Sequence, residues 1–458
     1  MNAPPPRVEA LPVSLKAGWA VGALGVAILL NGIGALSLFY MVSILGIEPA
    51  IAGGLIFATK ILDMLIDPAI GMASDRTRSR FGRRRPWLFV GALLSALSFL
   101  AFFAPPAGLD TPALLTLWAA GALVAYTLGY SLFNVPYMAM PAEMTDSYHE
   151  RSSIHAWRIV FVSLGGFLAA AMAPVLLEAL GKGERSSYAT VGVIGGTLIL
   201  ATTMATVLLT GRARSIDRGP AVVGIAGELG ALWANKYFLR LISVKLAQLI
   251  GVFATQAAMI FFLVNALKLD LSILGAFGAA MTVSTIATAP LLVRFSKRYG
   301  KREAYIVAGS AYILYSLSWL LASPGEPVWA LVLRGLVVGV AAGGNVILAM
   351  SMLTDIIEWD ARRTGVRREG VYAAVYSFVE NGAAAFGPLV IGFALSLAGF
   401  EKGNVAAAVT PRVEQALLLG MVYIPVAMGA LAIVLLLGYR LTEAQLRGDA
   451  ARQVEKSA

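Results

Sequence analysis

Twelve stretches of this chain are apolar for about 20 residues or more, the length a helix needs to cross the hydrocarbon core of a bilayer. They centre on residues 18–43, 50–73, 87–108, 113–137, 158–180, 189–210, 241–266, 271–295, 303–323, 328–353, 371–399 and 415–439. With 58% hydrophobic and 14% charged residues, and a mean hydropathy of +0.77, the composition excludes an ordinary soluble domain. The expected class is an all-α membrane protein of twelve transmembrane helices.

Residues 1–17 carry Pro4 to Pro6 but no short apolar core with a small-residue cleavage site, so the first helix is expected to act as its own insertion signal. The absence of cysteine rules out disulfides, thiolate metal sites and a cysteine nucleophile. The two histidines, His149 and His155, lie near one loop, which makes a polyhistidine metal site an unsuitable reading.

A net charge of +10 could signal nucleic acid, but the distribution of the charge argues otherwise. Four basic residues, Lys60, Arg158, Lys245 and Arg334, fall inside spans. With the N-terminus in the cytoplasm, only Lys182, Arg185, Lys268, Lys402 and Arg412 fall in external loops. This is the positive-inside bias. It predicts an inner-membrane protein with both termini cytoplasmic and no nucleic-acid partner; the bilayer itself is the expected surroundings.

A more polar stretch at 211–240, with Arg212, Arg214, Asp217, Arg218 and Gly219-Pro220, divides six helices from six. The expected organisation is a six-helix bundle over 1–210, a cytoplasmic linker over 211–240, a second bundle over 241–440 and a cytoplasmic tail over 441–458. Each half carries a basic loop after its second helix. The first runs from Asp75 to Arg85 and the second from Arg294 to Arg302, and they share an aromatic-Gly-basic-basic core: Phe81-Gly82-Arg83-Arg84 and Tyr299-Gly300-Lys301-Arg302. Such an internal repeat resembles the major facilitator superfamily, which implies two pseudo-symmetric bundles with a solute cavity between them. The arginines can anchor helix ends to an anionic leaflet. They can also gate: Asp75, Arg76, Arg83, Arg84 and Arg85 are the expected gating set, since a carboxylate among arginines can hold one access state closed. Most of the 47 glycines are explained by close helix packing.

Ionisable groups within spans cost at least ~2.5–3.5 kcal/mol each on insertion scales, so they mark functional candidates. Helix 2 holds the densest set, with Lys60, Asp63 and Asp67 spaced three and four apart on one helical face. Two carboxylates one turn apart repel unless a cation sits between them or one keeps a proton. That is the requirement of a coupling site; the competing reading is a structural ion pair of Lys60 with Asp63, and of Asp67 with an arginine elsewhere. Pro68 removes one amide hydrogen bond and frees a carbonyl one turn earlier, which predicts irregular backbone lining a cavity. Arg158, at the expected start of helix 5, either faces the cavity or snorkels. Glu380, beside Asn381 in helix 11, has few inexpensive explanations other than a cavity. Asn31, Tyr130, Asn134, Gln248 and Asn345 could line that cavity, although single amides also join helices. Lys245 and Arg334 could pair with acidic neighbours.

No Gly-x-Ser-x-Gly elbow, His-Glu-x-x-His pair or phosphate-binding Gly-Lys-Ser/Thr loop occurs, so neither an enzyme nor an ATP-driven pump is expected. The run Lys60 to Pro86, read as Lys-x-x-Asp-x-x-x-Asp-Pro-x-x-Gly-x-x-x-Asp-Arg-Thr-x-x-x-x-Gly-Arg-Arg-Arg-Pro, resembles the glycoside-pentoside-hexuronide:cation symporter family, the melibiose permease type. Two further runs share the likeness: Asn134-Val135-Pro136-Tyr137 with Glu150-Arg151-Ser152-Ser153 through Arg158, and Thr354-Asp355-Ile356-Ile357-Glu358 with Arg368-Glu369-Gly370 through Gly382. The resemblance implies that Asp63 and Asp67 bind the coupling cation, that a helix 4 hydroxyl, Ser131, assists them, and that Arg158 matches a family arginine.

The chain departs from the family pattern at informative places. The position that offers an amide oxygen to the cation is Ile66, the sugar-binding carboxylates of helices 1 and 4 are Ala27 and Asn134, and the helix 11 lysine is Asn381. A galactoside is therefore disfavoured. The expectation is a cation:solute symporter for a sugar or glycoside, with a lysolipid-like amphiphile or other organic solute as the alternative cargo and a non-transporting membrane sensor as a third reading. No cofactor is expected beyond the coupling cation. Protons are favoured over sodium because Ile66 removes one oxygen. The resemblance implies a monomer as the transporting unit.

Overall fold

The computed structural model describes residues 11–145, 147–213, 230, 232–366, 368–439 and 441. The greater part of the linker expected at 211–240, residues 442–458 of the expected tail and the first ten residues lie outside them. Every regular element among the described residues is helical, and twelve helices are long and apolar enough to span a membrane. They are α1 (Val13–Ile44), α2 (Pro49–Arg76), α3 (Arg85–Phe103), α4 (Pro112–Met144), α5 (Tyr148–Leu180), α6 (Arg185–Leu209), α7 (Lys236–Ala266), α8 (Ile273–Tyr299), α9 (Lys301–Leu321), α10 (Val328–Thr364), α11 (Glu369–Leu397) and α12 (Pro411–Leu437).

Local chemistry fixes where several of these start. Thr111 and Thr410 accept hydrogen bonds from the amides of Leu114 and Val413, both at 3.3 Å, and each is followed by proline at the first helical position. Asn235 caps α7 through Tyr237 and Phe238, and Ser147 caps α5 through Glu150. Because of that Ser147 cap, α5 begins ten residues before Arg158. Arg158 therefore lies in the third turn of the helix, not at its start.

The chain divides into two compact units, residues 1–47 with 58–222, and residues 48–57 with 223–458. Within the first, α1 packs on α5 and α6, and α3 packs on α4 and α6. Within the second, α7 packs on α11 and α12, and α9 on α10 and α12. The pairing scheme is the same, which is the repeat read from the two basic loops. It extends to detail: a Cβ at Gly165 would collide with the Leu24 carbonyl where α5 crosses α1, and one at Gly387 with the Phe253 carbonyl where α11 crosses α7. Gly82 and Gly300 both have positive φ, 91° and 108°, a backbone state that disfavours any other residue at the centre of each loop.

The core of the first unit is built on Trp19 and Tyr137. Their rings stack at 4.5 Å, the indole N–H donates to the Tyr137 carbonyl, and the Tyr137 hydroxyl donates to the Trp19 carbonyl, both at 3.2 Å. Each thus buries a large ring without leaving its polar atom unpaired. Phe238, Tyr305, Tyr372 and Tyr376 play the corresponding part in the second unit. Glu48 and the first turns of α2, through Phe57, belong to that second unit, where Glu48 accepts from Ser396 at 2.6 Å and pairs with Lys402 at 3.0 Å.

Candidate functional site

Helix α2 has a buried stripe formed by Thr59, Asp63, Ile70 and Ser74, with Asp67 half-buried between them. The spacing follows the helical repeat. The helix runs unbroken through Pro68, which is exposed. The irregular backbone expected there does not appear, because the ring points outward and the lost amide bond is local.

Asp63 is 2% exposed, and its Oδ1 accepts a 2.8 Å hydrogen bond from the Ser131 hydroxyl on α4. Ser131 is itself fully buried. Two other carboxylate oxygens, Asp63 Oδ2 and Asp67 Oδ1, are buried with no hydrogen-bond partner among the described residues. A buried acceptor without a partner costs about 1–3 kcal/mol, and more when charged, so this pair of oxygens calls for a cation or a proton. Lys60 acts on both carboxylates through space but makes no ion pair with either among the described residues. The simple structural pairing of Lys60 with Asp63 is therefore not formed.

The other polar residues of the first unit singled out by the sequence are placed as follows. Tyr130 lies within electrostatic reach of Asp63, Asp67 and Arg158, and its hydroxyl accepts from the Asn134 amide at 3.0 Å. Asn134 Oδ1 and Arg158 Nε are buried without hydrogen-bond partners among the described residues. Asn31 turns back onto its own helix, donating to the Ala27 carbonyl at 2.8 Å. Ile66 is half-buried and offers no oxygen.

The second unit holds its own polar set. Lys245, 4% exposed, lies 3.5 Å from Glu380 Oε1 and above the Tyr376 ring at 5.5 Å. Gln248 accepts from the Tyr305 hydroxyl at 2.8 Å, and Asn345 Oδ1 is buried without a partner. Asn381 is half-buried. Arg334 pairs instead with Glu326 and stacks on Trp319 at 4.3 Å.

The expected gating residues separate into two groups. Arg84 joins Asp75, Ser74 and Glu143, and Arg83 reaches Glu143 at 2.6 Å. Arg85 points elsewhere, donating to the carbonyls of Val207 and Gly211 at the end of α6. Arg76 is exposed and joins neither group. Glu143, the hub, was not visible in the sequence because it follows Pro141 at the end of a span and reads as an ordinary polar boundary. The loop repeat could have found it: Lys301 follows Gly300 as Arg83 follows Gly82, and Lys301 pairs with Asp355 on α10 at 2.6 Å as Arg83 pairs with Glu143 on α4.

Comparison with known proteins adds the following. Residues 18–443 match the family model described as MFS/sugar transport protein. The chain is 26% identical to the uncharacterized symporter YnaJ of Bacillus subtilis, over 98% of this chain and 96% of that one. It is 24% identical to the isoprimeverose transporter of Lactiplantibacillus pentosus, over 88% and 84%. Among solved structures it resembles a bacterial homologue of the human lysosomal transporter Spinster, with a TM-score of 0.66 at 16% identity over 94% of this chain and 98% of that one.

Proposed function

Because the chain belongs to the MFS/sugar transport protein family, and is therefore a multi-pass membrane transporter and not an enzyme, we propose that it is a cation-coupled symporter of a sugar or glycoside, working by alternating access. The proposed setting is a bacterial inner membrane, with both termini in the cytoplasm and a single chain as the transporting unit.

The observation that carries the coupling is the pair of buried, unpartnered oxygens on Asp63 and Asp67. Their Cβ atoms, one helical turn apart, are separated by roughly 6 Å. Two charges at that distance repel by about 3 kcal/mol at an effective dielectric of ~20. A cation held between them, or a proton on one, removes that repulsion and satisfies the orphaned acceptors together. Ser131 fixes the orientation of Asp63 through its 2.8 Å hydrogen bond. Sodium needs several oxygens in place of its water shell, and Ile66 supplies none, so protons are the preferred coupling ion.

The solute class follows from orphaned groups of both kinds. Asn134 leaves a buried amide oxygen that needs a donor, and Arg158 leaves a buried N–H that needs an acceptor, neither atom having a partner among the described residues. A hydroxyl can serve either need, which suits a polyhydroxylated solute. The isoprimeverose transporter among the relatives supports the same reading.

The test is uptake of a panel of radiolabelled sugars and glycosides into proteoliposomes of the purified chain, under an imposed pH gradient without sodium and then a sodium gradient at fixed pH. Accumulation of at least one member against its own gradient is expected under the pH gradient. Accumulation under neither gradient, with downhill flux intact, would refute coupling.

A further inference from the structure

The loop between α2 and α3 walls a half-open cavity of about 240 Å³ in the first unit, bounded also by the ends of α4 and α6. Four arginines line it, Arg80, Arg83, Arg84 and Arg85, against one carboxylate, Glu143. Asp75 adds a second negative charge, but only on Arg84. Two guanidinium charges are left without a carboxylate. Arg85 spends its N–H groups on the Val207 and Gly211 carbonyls, which fix its plane without neutralising it. Arg80 stacks on the Phe81 ring at 4.7 Å and pairs with no carboxylate among the described residues.

We infer that this cavity is a binding site for a phosphate-bearing anion, and that its occupant is the headgroup of an anionic phospholipid. The Arg85 guanidinium, fixed by its carbonyl bonds, matches phosphate oxygens with little ordering left to do, and the exposed Arg80 adds a second uncompensated positive charge to the same lining. At about 240 Å³, the cavity falls below the roughly 300–1,000 Å³ that encloses a whole drug-sized ligand. It has room for a glycerophosphate, and its open side leaves the rest of a larger molecule outside. Its place in the fold favours the lipid: the walls are the ends of spanning helices, α2 ending at Arg76, α3 beginning at Arg85, α4 ending at Met144 and α6 at Leu209. That is where a bilayer presents its headgroups. Met140 and Met144 add an apolar side to the wall, suited to the glycerol and first acyl carbons.

The experiment is native mass spectrometry of the full chain taken from mixed phosphatidylglycerol and phosphatidylcholine nanodiscs, measuring which lipid stays bound. Native protein should retain phosphatidylglycerol preferentially, and Arg80→Gln should reduce that preference about fivefold, the weight of one arginine near an anionic surface. Arg85→Gln should reduce it further. Arg298→Gln is the control, since Arg298 stacks on Tyr299 in the corresponding loop of the second unit but lines no part of this cavity; it should leave the preference unchanged. Equal retention of the two lipids, or equal losses in Arg80→Gln and Arg298→Gln, would overturn the site. A second arm measures melting in neutral detergent with inorganic phosphate or glycerol phosphate. Protection by these at millimolar concentration, without preferential lipid retention, would overturn the lipid assignment.

Discussion

Replacing Ser131 by alanine separates the two candidate coupling ions, because the loss acts on them with opposite signs. The Ser131 hydroxyl donates a 2.8 Å bond to Asp63 Oδ1 inside a fully buried contact. A hydrogen bond to a charged group is worth about 1.5–3 kcal/mol. That bond supports the ionised carboxylate, so deleting it makes Asp63 hold a proton more tightly, and the pH of half-maximal uptake should move upward by about 1–2 units, at 1.36 kcal/mol per unit. For sodium the same deletion removes an oxygen ligand, and half-saturating sodium should rise about tenfold or more. The assay is initial uptake in proteoliposomes, across pH at zero sodium and across sodium at fixed pH, with melting temperature as the check on folding. An upward shift of the pH profile is the expected outcome. A folded Ser131→Ala protein whose pH profile and sodium dependence both match the native ones would refute the assignment of Ser131 and Asp63 to the coupling site.

Asp67→Asn removes one charge from the pair but little volume, so it should abolish accumulation against a gradient while leaving solute exchange measurable; equal loss of binding and accumulation in folded protein would point to direct solute contact. Neutralising Arg83, Arg84 and Arg85 together removes the partners of Glu143 and the tie to the end of α6, and should slow turnover several-fold with solute affinity unchanged; a large affinity loss at a native rate would contradict this. Glu48 is held below the usual carboxylate range, chiefly by the Ser396 hydrogen bond and then by Lys402. A lowered folded-state value means that the contribution of Glu48 is complete above the unfolded value of about 4.3 and is lost as pH falls through the lower folded value. Melting temperatures of native protein and Glu48→Gln should therefore differ by the same amount at pH 7 and pH 5.5 and converge only in stronger acid; convergence already at pH 6 would show that another group is responsible.

The twelve spans were legible in the sequence because lipid imposes a single rule, apolar length, and each expected span overlaps one observed helix. Their polar ends were less legible. Helix α4 continues to Met144 and α10 to Thr364, beyond the apolar segments that ended at 137 and 353, since a helix can extend into water once its core turns are buried and its last carbonyls find partners. The α5 start was misplaced for the same reason, the Ser147 cap lying in a polar stretch with no hydropathy signal. At the candidate site, the spacing of Asp63 and Asp67 put them on one face, and the hydroxyl of Ser131 meets Asp63. Orphaned oxygens could not have been read from spacing, because a missing partner is a property of everything that surrounds an atom.

The two units show which level of the repeat the sequence carries. Backbone devices recur in both: the positive-φ glycines Gly82 and Gly300, the crossings at Gly165 and Gly387, and the ties from Arg83 to Glu143 and from Lys301 to Asp355. These are geometric necessities of one packing scheme, so they recur wherever the scheme does. The charges inside the spans do not recur. The first unit carries buried Asp63 and half-buried Asp67 on α2, each with one buried oxygen that has no partner among the described residues, while the second buries Lys245 with Glu380 already beside it at 3.5 Å. A lysine with a carboxylate already beside it has no need of an external ion, whereas two like charges one helical turn apart are stabilised by a cation or a proton between them. On the proposed coupling mechanism the cation would act in the first unit, while in the second Gln248 already accepts from the Tyr305 hydroxyl and Asn345 Oδ1 has no partner among the described residues.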